Sequence, residues 1–221
     1  MQAVHNEVEI KLAVPDVASL RRRLRQLRAR EITPRVLEQN TLYDTPDGGL
    51  ARHGQLIRLR SEAPAAKPKR ASRPARAKAN APAIRALLTY KGPVQQGNEG
   101  VALLGKRFKI REEHEVEIAD ALKMRAIFEA LGLRPLFRYE KYRTAYSLPR
   151  LAGVLIDLDE TPIGTFLEIE GDPAGIERAA ALLGYRASDY ILQSYGALYV
   201  NDCRKRGVAP GDMLFSPQKN A

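Results

Sequence analysis

Cysteine occurs once in this chain, tryptophan not at all and histidine three times. Cys203 cannot form an internal disulfide, and no Cys or His stands near it at metal-ligand spacing, so a buried, inert thiol is expected. The histidines offer no Ser/His/Asp or Cys/His arrangement. His5 and His53 lack partners, and His114 falls on the apolar parity of its strand. No G-x-x-x-x-G-K-[ST] run occurs, so Gly48-Gly49 reads as a turn after Asp47 rather than a phosphate-binding loop. No apolar run approaches the ~20 residues that span a bilayer. Met1 to Lys11 is charged and has no apolar stretch, so it does not read as a secretory signal. A cytoplasmic location without membrane contact is the expectation.

What remains is enough for one sizeable domain: 221 residues, of which 44% are hydrophobic. The net charge of +10 points toward polyanions, but its distribution matters. Residues 63–86 hold seven basic side chains (Lys67, Lys69, Arg70, Arg73, Arg76, Lys78 and Arg85) and no acid, and without them the net charge falls to +3. This Ala/Pro-rich stretch has almost no large apolar residue before Ile84, so it cannot bury enough surface to offset its ordering entropy. It is expected to be a disordered insertion, with contact to nucleic acid or polyphosphate as a secondary role. The expected organisation is a single catalytic domain over 1–200, interrupted by 63–86, and a tail over 201–221. From about Arg204 the tail contains Gly and Pro and is expected to be poorly ordered.

Four helices are expected. Residues 16–31 start at Asp16 and place Val17, Leu20, Leu24 and Leu27 on one face. Residues 120–131 start at Asp120, turn Leu122, Ile127, Phe128 and Leu131 inward and stop at Gly132. Residues 173–183 start with Pro173 after Asp172 and end at Gly184. A fourth helix follows Ser188 and carries Ile191, Tyr195 and Leu198.

The rest reads as strands with one charged and one apolar face. Glu7, Glu9 and Lys11 alternate with Val8, Ile10 and Leu12, and Arg58 and Arg60 alternate with Ile57 and Leu59. Over 107–118, Arg107, Lys109, Arg111, Glu113, Glu115 and Glu117 share a face. Lys141 and Arg143, Asp157 and Asp159, and Glu168 and Glu170 form further doublets. Like charges at i and i+2 lie about 7 Å apart on one face, an arrangement that surfaces ordinarily avoid. A polyanion with a divalent cation relieves both signs of repulsion. Closing the sheet into an antiparallel barrel puts the charged faces inside and leaves the apolar faces for the helices. The fold class expected is therefore α+β, a closed antiparallel β-barrel with helices packed outside. Carboxylates without His or Cys suit hard ions such as Mg²⁺ or Mn²⁺, and Arg and Lys suit phosphate oxygens.

These residues resemble the CYTH family, the triphosphate tunnel metalloenzymes, named for class IV adenylate cyclase and thiamine triphosphatase. The E-x-E-x-K opening is Glu7-Val8-Glu9-Ile10-Lys11. Tyr43-Asp44-Thr45-Pro46-Asp47, Leu56-Ile57-Arg58-Leu59-Arg60, Thr89-Tyr90-Lys91 and Arg111-Glu112-Glu113-His114-Glu115 follow in order. Glu140-Lys141-Tyr142-Arg143, Asp157-Leu158-Asp159 and Leu167-Glu168-Ile169-Glu170 complete the series, over about residues 5–200. The resemblance implies that Lys11, Arg58, Arg60, Lys91, Arg111, Lys141 and Arg143 hold a triphosphate. It implies that Glu7, Glu9, Glu168 and Glu170 carry a catalytic metal, with Glu7, Glu9 and Lys11 at the catalytic centre. It implies that Glu113, Glu115 and Asp157 or Asp159 serve a second metal or the attacking water. Two features depart from the family pattern: the 63–86 insertion, and Ser194-Tyr195 where some members carry a lysine.

Hydrolysis of inorganic, thiamine or nucleoside triphosphate is the leading functional expectation, and cyclisation of ATP to cyclic AMP is the alternative. A non-catalytic polyphosphate or nucleic-acid binder stands third, because a pure anion binder gains nothing from inward carboxylates.

Overall fold

The structure, a computed structural model, describes residues 6–65, 85–95 and 107–216. Eight antiparallel strands close into a barrel in the order β1-β5-β4-β3-β2-β6-β7-β8. They are β1 (Asn6–Ala13), β2 (Arg30–Asp44), β3 (Leu56–Pro64), β4 (Arg85–Val94), β5 (Lys109–Ile118), β6 (Arg134–Ser147), β7 (Leu155–Thr161) and β8 (Gly164–Glu170). β8 pairs back onto β1, so the barrel has no free edge. The helices are α1 (Val17–Gln26), α2 (Gly49–Arg52), α3 (Ala121–Ala130), α4 (Pro173–Leu183) and α5 (Tyr195–Arg206). None is long and apolar enough to cross a membrane.

Period-two alternation creates the two faces. Ile10 and Leu12 of β1, Ile156 and Leu158 of β7, and Leu167 and Ile169 of β8 point outward into the main core. There they meet Leu20 and Leu24 of α1 and Ile176, Ala180 and Leu183 of α4. Each such buried Leu or Ile contributes roughly 1.5–3 kcal/mol. Gly175 in α4 permits the close approach to the barrel, since a Cβ there would fall 2.6 Å from Val154 Cγ2. Asp16, Asp120, Asp172 and Ser194 cap the starts of α1, α3, α4 and α5 by accepting from backbone N–H groups.

The closed barrel and its outer helices agree with the expectation from the sequence, but several boundaries differ. α1 stops at Gln26 rather than 31, because Arg28 turns left-handed (φ 55°) and Ala29 N bonds back to Leu24 O, reversing the chain into β2. α3 buries only Phe128 fully, leaving Leu122, Ile127 and Leu131 exposed. It rests along a narrow strip, with Ala121, Met124 and Phe128 against Tyr43 and Leu59.

The last helix starts at Tyr195, where Ser194 caps it. Ile191 precedes that helix and instead exchanges two backbone hydrogen bonds with Lys11. Through residue 216 the tail is ordered, against the expectation of poor order from about Arg204: α5 continues to Arg206, and Met213, 1% exposed, bonds through its backbone to Arg138 and Glu140 of β6. At the insertion, β3 extends to Pro64 and β4 begins at Arg85, whose guanidinium donates to Glu117 on β5. The ends of the 63–86 stretch are thus strand, and the expectation of disorder for 66–84 lies outside the described residues.

Candidate active site

Strand register sets the inner face. Glu7 and Glu9 on β1 pair with Arg111 and Lys109 on β5, while Glu9 and Lys11 pair with Glu170 and Glu168 on β8. Lys91 on β4 pairs with Glu113, and Arg58 on β3 pairs with Leu42 on β2 and Thr89 on β4. Together these side chains line a cavity of about 840 Å³ inside the barrel. Fourteen of the fifteen residues singled out from the sequence line it: Glu7, Glu9, Lys11, Arg58, Arg60, Lys91, Arg111, Glu113, Glu115, Lys141, Arg143, Asp157, Glu168 and Glu170. Asp159 does not. It is fully buried beneath the cavity, where it accepts from Lys141 (2.8 Å), from Arg143 (2.7 and 2.6 Å) and from the Tyr195 hydroxyl (2.7 Å).

The interior has an acidic region and a basic region. Glu7, Glu9, Glu113 and Glu170 gather where β1, β5 and β8 meet. Lys91 binds Glu7 and, at 2.9 Å, Glu113, while Lys109 binds Glu9. Glu170 has no ion pair among the described residues. Burial, reinforced by the charges of Glu7 and Glu113, pushes its carboxyl up to about 7. Arg111 donates to the carbonyls of Gly92 and Gly54, tying the ends of β3 and β4 at the cavity mouth.

In the basic region, Lys11 donates to Glu168 at 2.5 Å, and its ammonium lies 4.4 Å from the Tyr195 ring centroid. Burial opposes the Lys11 charge, but Glu168 and Glu9 outweigh it and raise its pKa. Arg58 donates to Thr89 at 3.1 Å and Glu115 at 3.3 Å, with the Tyr139 hydroxyl at 3.5 Å. Arg143 reaches Asp157 at 2.6 Å. Burial dominates at Asp157, pushing its carboxyl up to about 6 despite Arg143.

Several site residues escaped the sequence reading. Lys109 lies on the charged face of β5, one step before the motif that opens at Arg111, and its parity was the available signal. Tyr139 and Tyr195 line the cavity beside the cations; Ser194-Tyr195 stands out in the sequence only as a departure from the family's lysine, and nothing there distinguishes Tyr139 from a core aromatic. Glu38 is a lone acid between Val36 and Asn40, so no doublet marks it. Two charged residues of β5's sequence face turn out peripheral: Arg107 pairs with Glu177 of α4 outside the barrel, and Glu117 is exposed. At the mouth the inner face turns apolar, through Leu42, Leu56 and Phe137.

Among the described residues no three His, Cys, Asp or Glu side chains converge into a ready-made cage, since Lys91 and Lys109 are ion-paired to Glu7, Glu113 and Glu9. The chemistry nevertheless fits a hard cation. All the donors are carboxylates, their register is fixed by strands, and the unpaired Glu170 stands directly across from Glu9.

Comparison with known proteins agrees with this architecture. The CYTH domain model matches residues 5–194. A protein of Methanocaldococcus jannaschii, provisionally named an adenylate cyclase, is 36% identical over 83 residues, 38% of this chain and 41% of that relative. The match therefore spans about two fifths of the relative's length. Among solved structures, a protein of Vibrio parahaemolyticus provisionally described as an adenylate cyclase superposes with TM-score 0.65 at 18% identity, covering 87% of this chain and 96% of that one. The PH1819 protein of Pyrococcus horikoshii gives 0.64 at 24%, covering 89% and 99%. A Hippeastrum protein, provisionally called an adenylyl cyclase and described as having dominant triphosphatase activity, gives 0.53 at 19%, covering 92% and 97%. With the family model covering all eight strands and the inward charges in its tunnel, the chain belongs to the CYTH domain family.

Proposed function

We propose that this protein is a divalent-metal-dependent hydrolase of a triphosphate compound: inorganic, thiamine or nucleoside triphosphate. One observation carries the reading: eight Lys and Arg side chains and a set of carboxylates share one cavity inside the barrel. In this reading Arg58, Arg60, Lys141, Arg143 and Lys11 bind and orient the phosphate chain. Phosphoryl transfer needs mainly such positioning and neutralisation of developing charge. Glu7, Glu9 and Glu170 would hold Mg²⁺ or Mn²⁺, with Glu168 at the boundary between the acidic and basic regions. When bound, the cation polarises the phosphoryl group and neutralises its charge. Glu113 and Glu115 hold Lys91 and Arg58 in place, and a carboxylate released from its lysine can accept a proton from water.

A second reading, cyclisation of ATP, is supported by the apolar mouth at Leu42, Leu56 and Phe137, which suits an organic head group. The adenylate cyclase names among the relatives also support it. Incubation with tripolyphosphate, thiamine triphosphate and ATP in Mg²⁺ or Mn²⁺, followed by product separation, tests both readings. Orthophosphate release supports hydrolysis, and cyclic AMP with pyrophosphate supports cyclisation. No turnover of any triphosphate would leave a binding module.

A further inference from the structure

Glu38 on β2 is a buried charge that the proposed reaction does not use. It is 1% exposed, and both carboxylate oxygens lack a hydrogen-bond partner among the described residues. Three cations nevertheless surround it: Arg60 Nη1 at 3.4 Å, Lys141 Nζ at 3.5 Å and Arg143 Nε at 3.5 Å. Those cations make their hydrogen bonds elsewhere. Arg60 donates to Asn40 at 3.1 Å, Lys141 to Asp159 at 2.8 Å, and Arg143 to Asp159 at 2.7 and 2.6 Å.

Glu38 does not line the cavity, whereas Arg60, Lys141 and Arg143 do. It therefore lies behind them as seen from the lumen. Burial favours its neutral form, but the charges of Arg60, Lys141 and Arg143 outweigh this and hold the carboxyl far below the usual carboxylate range. A buried structural anion is ordinarily tied down by hydrogen bonds. This one acts on its neighbours by charge alone.

From this geometry we propose that Glu38 is a resident counter-anion that limits how tightly the tunnel holds a polyphosphate. The proposal rests on the reading of Arg60, Lys141 and Arg143 as triphosphate contacts. In the empty tunnel Glu38 stabilises three like charges held close together. When a triphosphate arrives on the lumen side, Glu38 stays behind the cations and repels it. The same charge thus favours the free protein and disfavours every phosphate-bound state. The lumen cations attract product phosphates as well as substrate, and slow product release limits turnover in many enzymes. Stability and ligand affinity should then move in opposite directions when the charge is removed, whereas a purely structural residue would lose both.

The test is calorimetric titration of sodium tripolyphosphate, in chelator, into the parent, Glu38→Gln, Asn40→Asp and Arg60→Ala, with thermal midpoints of the ligand-free proteins. Glu38→Gln is expected to lower the midpoint yet bind roughly 10-fold tighter, as removal of one nearby buried charge implies. Asn40→Asp is the converse. The Asn40 Nδ2 has no partner among the described residues, and an aspartate would set a second anion against Arg60. It is expected to keep the midpoint and bind roughly 10-fold weaker. A folded Glu38→Gln that binds no tighter, or Asn40→Asp that binds no weaker, overturns the proposal. If Glu38→Gln fails to fold, Asn40→Asp decides alone. If Arg60→Ala leaves binding unchanged, the contact assignment beneath the proposal falls first and takes the proposal with it.

Discussion

Glu9 on β1 and Glu170 on β8 are direct cross-strand partners, both turned into the tunnel, and among the described residues only Glu9 carries a lysine. Two carboxylates so placed repel, and a divalent cation would relieve the repulsion. Turnover is therefore expected to require Mg²⁺ or Mn²⁺ and to stop in chelator. Glu9→Gln keeps the shape and removes the charge, and is expected to slow turnover by at least ~100-fold. Glu170→Gln is expected to raise the metal concentration for half-maximal rate by about 10-fold. Metal titrations of initial rate check all three, and full activity in chelator would make the carboxylates structural.

Asp44 fixes the turn that carries β2 into β3 at the tunnel mouth. Its carboxylate accepts from the N–H groups of Thr45 (2.7 Å), Leu50 (2.8 Å) and Ala51 (2.9 Å). Burial raises its pKa, but the N–H groups of Ala51, Leu50 and Thr45 outweigh burial and leave it below the ordinary value. A depressed folded pKa contributes stability above the unfolded-state value, and that contribution is lost as pH falls through the folded one. Asp44→Asn is expected to cost about 1–3 kcal/mol at neutral pH. The gap from the parent should narrow in acid below the unfolded pKa of about 3.9. Denaturant melts at neutral and acidic pH measure it, and a gap that does not shrink would show that charge is not the source.

Much of this barrel was legible because its signals are local and repeated. Doublets such as Glu7/Glu9, Arg58/Arg60 and Glu168/Glu170 state their face by parity, and only a closed sheet brings so many charged faces together. Single residues were illegible for the opposite reason. Glu38 has no partner at i±2 of its sign, and its three cations come from β3 and β6. Asp159 shares its strand face with Asp157, yet one step along β7 takes it from the lumen to the buried layer below. The apolar stripe of α3 is mostly uncovered, and helix periodicity does not say how much of a stripe finds cover.

The C-terminal segment shows the same limit, since its Gly/Pro content concealed a docked strand-like stretch. Met213 is buried among Tyr139, Phe166 and Tyr195, and Asp212 accepts from the backbone and guanidinium of Arg138. Truncation after Gly207 is expected to cost at least ~2 kcal/mol, the lower range for losing one buried Met side chain. Met213→Ala should show a comparable loss in thermal or urea melts. A truncated chain as stable as the parent would mean that the segment merely lies on the surface.

Asp157 and Asp159 share a strand face but differ in whether they reach the cavity. Asp159 is fully buried and its oxygens are taken by Lys141, Arg143 and Tyr195. Asp157 lines the cavity and has one oxygen without a hydrogen-bond partner among the described residues. Removing one member of a buried charge network leaves the others uncompensated, at a cost of about 3–5 kcal/mol. Asp159→Asn is therefore expected to lower stability by about that amount while the metal dependence of its remaining activity stays as in the parent. Asp157→Asn should cost less stability, because Arg143 keeps Asp159 and Glu168 as partners. Paired urea melts and metal titrations distinguish the roles. An Asp159→Asn protein as stable as the parent, but needing far more Mg²⁺ or Mn²⁺, would place Asp159 among the metal ligands and overturn the assignment of a buried supporting layer.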